Sequence, residues 1–146
     1  MQELNLPPHP FKLKRVEGQT QIFDTFRKKW LVLTPEEWVR QHFAMYLCAF
    51  GYPAGLISLE RLVKINGMSK RADIVVFDPQ GNPFLLVECK APSISITQDT
   101  IDQAARYNSQ LRVPHILLTN GLQHFALHTD ADGAMTFQEN IPVYPF

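Results

Sequence analysis

Only two cysteines occur in the 146 residues, Cys48 and Cys89. They are too few for a disulfide framework, and no CxxC or Cys/His cluster suggests zinc. Each reads as a small buried apolar side chain. No run approaches the roughly 18 apolar residues of a membrane span. The opening MQELNLPPHPFKLKR lacks the apolar centre of a signal peptide, so a cytoplasmic protein is expected. Neither charge is in excess, with 14 basic and 14 acidic side chains. That counts against a binder held to nucleic acid by net charge alone, although acids gathered around a metal would mask a basic patch in the total. Internal repeats and low-complexity tracts are absent too. What remains is ordinary globular composition, 45% hydrophobic and 19% charged, at a length that suits one domain with one core.

Residues 1–10 hold three of the eleven prolines and read as a loose arm. Short strands follow in FKLKRVE, QTQIFDTF and KWLVL, with Arg27, Lys28 and Lys29 between two of them. That basic cluster is either a solvated turn or a phosphate-contacting edge. Residues 1–33 thus form an arm with short strands, and residues 34–146 the main domain. Thr34-Pro35-Glu36-Glu37 is a capping box, with Thr at N-cap, Pro at N1 and Glu at N3. The helix it opens should run to about Phe50 and end at Gly51, burying Val39, Phe43, Tyr46, Leu47 and Phe50. In a capping box Glu37 serves its own backbone, so Glu36 is the acid free to face a site.

A strand is expected around Leu56–Ile65. Strands at 71–77 and 84–90 flank the turn signal DPQGNP and should form an antiparallel hairpin. FLLVE is apolar almost without break, which suits a central strand covered on both faces. A helix over 97–110, capped by Thr97, precedes a strand at Val113–Thr119. Asn120-Gly121 signals a type I′ turn into Leu122–His128. The tail IPVYPF reads as an ordered edge. The order is α/β, a mixed sheet with helices packed against it.

The chemistry sits in RADIVVFD and FLLVECKAP. Glu88 and Lys90 are two apart on a strand, hence on one face, with Cys89 on the other. Charges within an apolar strand need partners. Asp73 lies five residues before Asp78, and Glu88 five after Pro83, so a hairpin brings Asp73 near the Glu88–Lys90 end. Two carboxylates about 4 Å apart repel by about 4 kcal/mol at an effective dielectric of 20. A divalent cation reverses that sign. Hard oxygen ligands favour Mg²⁺ or Mn²⁺ over zinc, and such an ion activates water beside a phosphate. Lys90 could orient that water and offset charge in the transition state. Gln103 and Tyr107, four apart, share a helical face behind this pair. A structural ion pair at the sheet end is the competing reading.

In this order and spacing Asp73, Glu88-Cys89-Lys90 and Gln103…Tyr107 resemble the PD-(D/E)XK nuclease superfamily, in its RecB-like branch with the Q-x-x-x-Y element. More narrowly, PEEWVRQHF, KRADIVVFD, FLLVECKAP, DQAARYN and LLTNGLQHF resemble the N-terminal nuclease domain of type I restriction enzyme R subunits, over about residues 34–128. Ala72 stands where the superfamily's name has proline. The resemblance implies a restriction-endonuclease-like α/β core, a mixed β-sheet flanked by helices, and a Mg²⁺-dependent DNA nuclease site. It makes Asp73 and Glu88 metal ligands, with Glu36 matching the acid of the first helix. It makes Lys90 the catalytic lysine, and Gln103 and Tyr107 residues that line the site. Small nucleases of this fold often cut as pairs, so a homodimer is a natural partner state. A type I R subunit also needs an ATP-driven motor, and no G-x-x-x-x-G-K-[ST] loop is present. The expectation is a stand-alone nuclease domain, or a module working with a helicase/translocase or specificity subunit. Two alternatives stay open: a nucleic-acid-binding module of the same fold that does not cut alone, and a structural domain whose ion pair only resembles a site.

Other residues carry weaker signals. His124 and His128 read as exposed groups on an edge strand without a third ligand, and His42 as a surface group. Arg40 and Gln41 could contact phosphate or Glu36. Trp30 and Trp38 suit core packing or base stacking. Lys64, Lys70 and Arg71 suit either a DNA backbone or a solvated turn.

Overall fold

Two sheets and two long helices make up the computed structural model, which describes residues 1–146. A small antiparallel sheet of β1 (Leu13–Val16), β2 (Gln19–Asp24) and β3 (Lys29–Val32) comes first. Helix α1 (Pro35–Ala49) follows, then β4 (Ile57–Ile65), β5 (Met68–Phe77) and β6 (Pro83–Cys89). Helix α2 (Gln98–Leu111) crosses over to β7 (His115–Thr119), β8 (His124–Thr129) and β9 (Met135–Gln138). The large sheet runs in the order β4-β5-β6-β7-β8-β9, and only β6 and β7 are parallel. This is the expected mixed sheet flanked by helices, with one strand, β9, that periodicity did not reveal.

Strand β6 is central. Its Leu85, Val87 and Cys89 pack with Val39, Phe43 and Leu47 of α1, while Leu86 packs with Ile101 and Leu111 of α2. Two cores therefore sandwich the sheet, which is why FLLVE carries no polar alternation. The DPQGNP turn closes as expected: Asp78 Oδ1 accepts from the N–H groups of Gln80 and Asn82, both at 2.9 Å. The β5–β6 ladder then zips from there to Ile74 opposite Val87.

Thr34 caps α1 through its hydroxyl, which accepts the Glu37 N–H at 3.0 Å. The other half of the capping box does not form. The Glu37 carboxylate turns inward to Arg27, Arg40 and Gln41, because two cations and an amide offer it more than one backbone N–H. Asn120-Gly121 is also not a type I′ turn. Thr119 pairs with His124, leaving a four-residue connection in which Asn120 Oδ1 accepts from Leu122 and Gln123 N–H groups. Only Gly121 takes positive φ, whereas type I′ needs it at both central residues. The tight turn occurs instead at Asn66-Gly67, with φ of 49° and 80° between paired Ile65 and Met68.

Both chain ends are tied down rather than loose. Leu4 is buried in the α1-side core, Asn5 N–H donates to Gly121 O, and the Trp38 indole donates to Gln2 O. At the other end Tyr144 is buried, and its hydroxyl donates to Phe77 O at 2.8 Å. His42 is likewise buried, not superficial: its ring lies 4.2 Å from Trp38 and 4.7 Å from Phe11. The docked arm supplies Phe11, a partner that sequence periodicity cannot anticipate. His124 and His128 lie on β8, an interior strand once β9 pairs with it, and both are half-buried. No helix is long and apolar enough to cross a membrane.

Candidate active site

Asp73 stands one residue beyond the last β5–β6 pair, Ile74–Val87. There its side chain takes over from the ladder. Cys89 N–H donates to Asp73 Oδ2 at 2.8 Å, so the carboxylate sits where the two strands stop pairing. Its other oxygen, Oδ1, accepts from Arg40 Nη2 at 2.8 Å. Arg40 comes from one turn into α1.

The Arg40 guanidinium is the hub of this centre. Nη2 lies 2.8 Å from Asp73, 2.9 Å from Glu60 and 3.2 Å from Glu36, and Nη1 lies 2.6 Å from Glu37. Glu37 continues to Arg27, which also bonds to the fully buried Asp24. Burial disfavours the Arg40 charge, but the hydrogen bond to Asp73 and the surrounding acids outweigh it and raise its pKa. Burial pushes the Asp73 carboxyl above its ordinary range, and the Cys89 N–H and Arg40 pull it back only in part. Burial also works against the Glu60 charge, yet Arg71 and Arg40 hold that carboxyl below its usual range.

Glu88 belongs to a second centre. Its Oε1 accepts from Lys70 Nζ at 2.8 Å, and the same ammonium lies 4.7 Å from the Tyr107 ring centre. Tyr107 is thus brought to Glu88 through Lys70, across the α2 face of the sheet. Lys90 is half-buried. Its backbone N–H donates to Thr119 O at 2.8 Å, and its ammonium pairs with no carboxylate. Gln103 is exposed, one turn before Tyr107.

The structure therefore joins Glu36 to Asp73 through Arg40, and Glu88 to Tyr107 through Lys70, and leaves Lys90 and Gln103 outside both pairs. Glu60 and the anchoring roles of Arg40 and Lys70 were not legible as site features. Arg40 at i+4 from Glu36 was a signal for that one contact. Glu60 has positive φ, 51°, inside a paired strand, which no residue pattern announces.

The donors suit a hard divalent cation, since Asp73 in mid-β5, Glu88 near the end of β6 and Glu36 at the start of α1 offer only carboxylate oxygens. In this arrangement no group of three or more His, Cys, Asp or Glu side chains converges so as to hold a metal ion. Arg40 and Lys70 already neutralise those acids, so a cation would bind in competition with them.

A search of curated proteins finds no match. The family model for the type I restriction enzyme R protein N terminus matches residues 35–142. That span takes in α1, all six strands of the large sheet, and Glu36, Asp73, Glu88, Lys90, Gln103 and Tyr107. With a model matched over most of its length, the chain belongs to the family of type I restriction enzyme R protein N-terminal domains.

Proposed function

We propose that this chain is a metal-dependent DNA nuclease domain of PD-(D/E)XK type, in the RecB-like branch, with its site at the open end of the β5–β6 pair. The carrying observation is Asp73 bonded to Cys89 N–H, which holds one carboxylate against the strand segment whose residues 88 and 90 are Glu and Lys. Asp73 and Glu88 would hold Mg²⁺ or Mn²⁺, with Glu36 as a third donor. Such an ion, when bound, supplies Lewis acidity to a phosphate oxygen and makes water more acidic. Lys90 is the one cation of this strand end free of a carboxylate, so its ammonium is available to a phosphate oxygen as charge develops there. Lys70, held between Glu88 and Tyr107, can pass to substrate phosphate when Glu88 takes another partner. Tyr107 and Gln103 would border the substrate on the α2 side.

A specific observation favours a second reading, a partner-dependent module. Asp73 and Glu88 are both satisfied by internal cations, so the isolated domain is held in a form that must rearrange to bind metal. In that case a helicase/translocase or specificity subunit, or a second copy of the chain, would trigger the rearrangement.

The test is cleavage of supercoiled, linear, branched and single-stranded DNA in Mg²⁺ and in Mn²⁺, with wild type beside Lys90→Ala. Cutting by wild type that falls at least about 100-fold in the variant is the expected result for a group acting on the reacting phosphate. Cutting that Lys90→Ala leaves intact would refute the assignment, and no cutting by wild type in either metal would leave only the partner-dependent reading.

A further inference from the structure

The small sheet has one face that the fold does not bury. On it Lys14, Gln21 and Val32 form one cross-strand row, and Phe23 pairs with Trp30 in the next. The Phe23 and Trp30 rings meet edge to face at 5.4 Å, and the Lys14 ammonium lies 4.2 Å from the Trp30 ring centre. None of these side chains joins either hydrophobic core. The burial is on the other face, where Ile22 and Asp24 are fully enclosed.

The segment that carries this face is basic, and Lys12 and Lys14 lie on the face itself. Residues 1–33 contain Lys12, Lys14, Arg15, Arg27, Lys28 and Lys29 against Glu3, Glu17 and Asp24, a net of +3. Since the whole chain sums to zero, residues 34–146 carry −3. Of the six cations only Arg27 is committed to carboxylates, Asp24 and Glu37. The other five are exposed.

We infer that this face holds an unpaired DNA strand. Rings flanked by free ammonium groups match that ligand: bases stack on Trp30 and Phe23, while phosphates meet Lys14 and its neighbours. A duplex hides its base faces and would leave the rings unused. An acidic protein surface would use the lysines alone. The face is also held in fixed relation to Asp73, because Arg27 bonds to Glu37, Glu37 to Arg40, and Arg40 to Asp73. A groove of about 360 Å³, lined by Arg27, Lys29, Glu60 and Arg61 among others, runs between the small sheet's last turn and β4. It gives the strand a basic path from the sheet to the acid centre. Binding there needs no metal, so it goes beyond the nuclease reading and survives or fails separately from it.

The experiment is titration of a fluorescein-labelled oligodeoxythymidylate strand in EDTA, using the full chain. Trp30→Ala should weaken binding about ten-fold, the loss of one stacked base. Lys12→Gln/Lys14→Gln/Lys29→Gln removes only exposed charges, so it keeps the fold. It should lower the slope of log Kd against log salt by about two, from roughly 0.7 per phosphate contact. In a Trp38→Phe background, where Trp30 alone reports, the strand should quench tryptophan fluorescence and an equal duplex should not. Because the titration is run in EDTA, it reads this face without the metal that the candidate site needs, which separates the two. Wild-type Kd and slope retained by both the Trp30 and the triple variant would overturn the inference, as would absence of single-strand binding by wild type.

Discussion

Two acids stand one strand apart at the same end of the sheet, and the fold treats them differently. Asp73 faces a guanidinium whose side chain is 6% exposed and is shared among four carboxylates. Glu88 faces Lys70, 19% exposed, in a single ion pair backed by one aromatic ring. The first centre is a network around a buried cation, enclosed at Glu37 and open to water at Glu36. The second is a partly solvated pair that can exchange partners at small cost. A site that must open to a cation and a phosphate would therefore yield first at Glu88, while Arg40 keeps Asp73 in place.

Removing the hub should separate the two centres most sharply. Arg40→Met leaves the largely enclosed Asp73 without its cation and Glu37 with Arg27 alone, a loss of about 3–5 kcal/mol. Chemical denaturation should show it as a lower midpoint at unchanged slope. A loss below about 1 kcal/mol would mean that the network is no more cohesive than a surface pair.

Acid should act on the α1 side by a second route. Burial lowers the His42 pKa below its ordinary 6.5; the Trp38 carbonyl opposes this in part, and nearby His9 adds to it. A folded-state pKa below the unfolded one means that the unfolded chain binds the proton more readily. Stability is then retained above about pH 6.5 and falls as pH drops toward the folded value. His42→Gln should flatten that fall in melting curves between about pH 7 and 5. An unchanged pH profile would show that His42 does not carry it.

The smallest effect belongs to the partly solvated pair. Lys70→Ala should cost no more than about 1 kcal/mol, since water can solvate the freed Glu88. A cost as large as that of Arg40→Met would erase the distinction between the centres.

Legibility followed the range of the forces involved. The strand–turn–strand around DPQGNP, the Thr34 and Thr97 caps and the unbroken apolar run of β6 are local or periodic, and they could be read directly. The count of residues around the hairpin also brought Asp73 to the Glu88 end correctly, one residue past the last ladder pair. The two Asn-Gly pairs show where such reading stops. Asn66-Gly67 forms the tight turn even though the Asn66 amide donates to Leu111 O, because nothing packs against Gly67. At Asn120-Gly121, the Thr119 hydroxyl binds Gly121 N–H, the Asn120 amide binds Ile94 O, and Leu4 and Val39 press on Gly121. A Cβ there would meet Leu4 at 2.7 Å, so tertiary packing selects a wider loop.

By itself the sequence determined the family, the α/β order of elements, and which strand carries Glu88 and Lys90, since these rest on residue pattern and on spacing along the chain. Only the tertiary structure decided the partners of the charges. It set Arg40 among Glu36, Glu37, Glu60 and Asp73, gave Lys70 to Glu88, left Lys90 free, and folded the N-terminal arm over His42. The physical reason is that a buried charge takes whatever counter-charge the packed elements bring within about 3 Å. That proximity comes from helix and sheet docking, across separations of up to 33 residues in the Arg40–Asp73 pair, which no local pattern encodes.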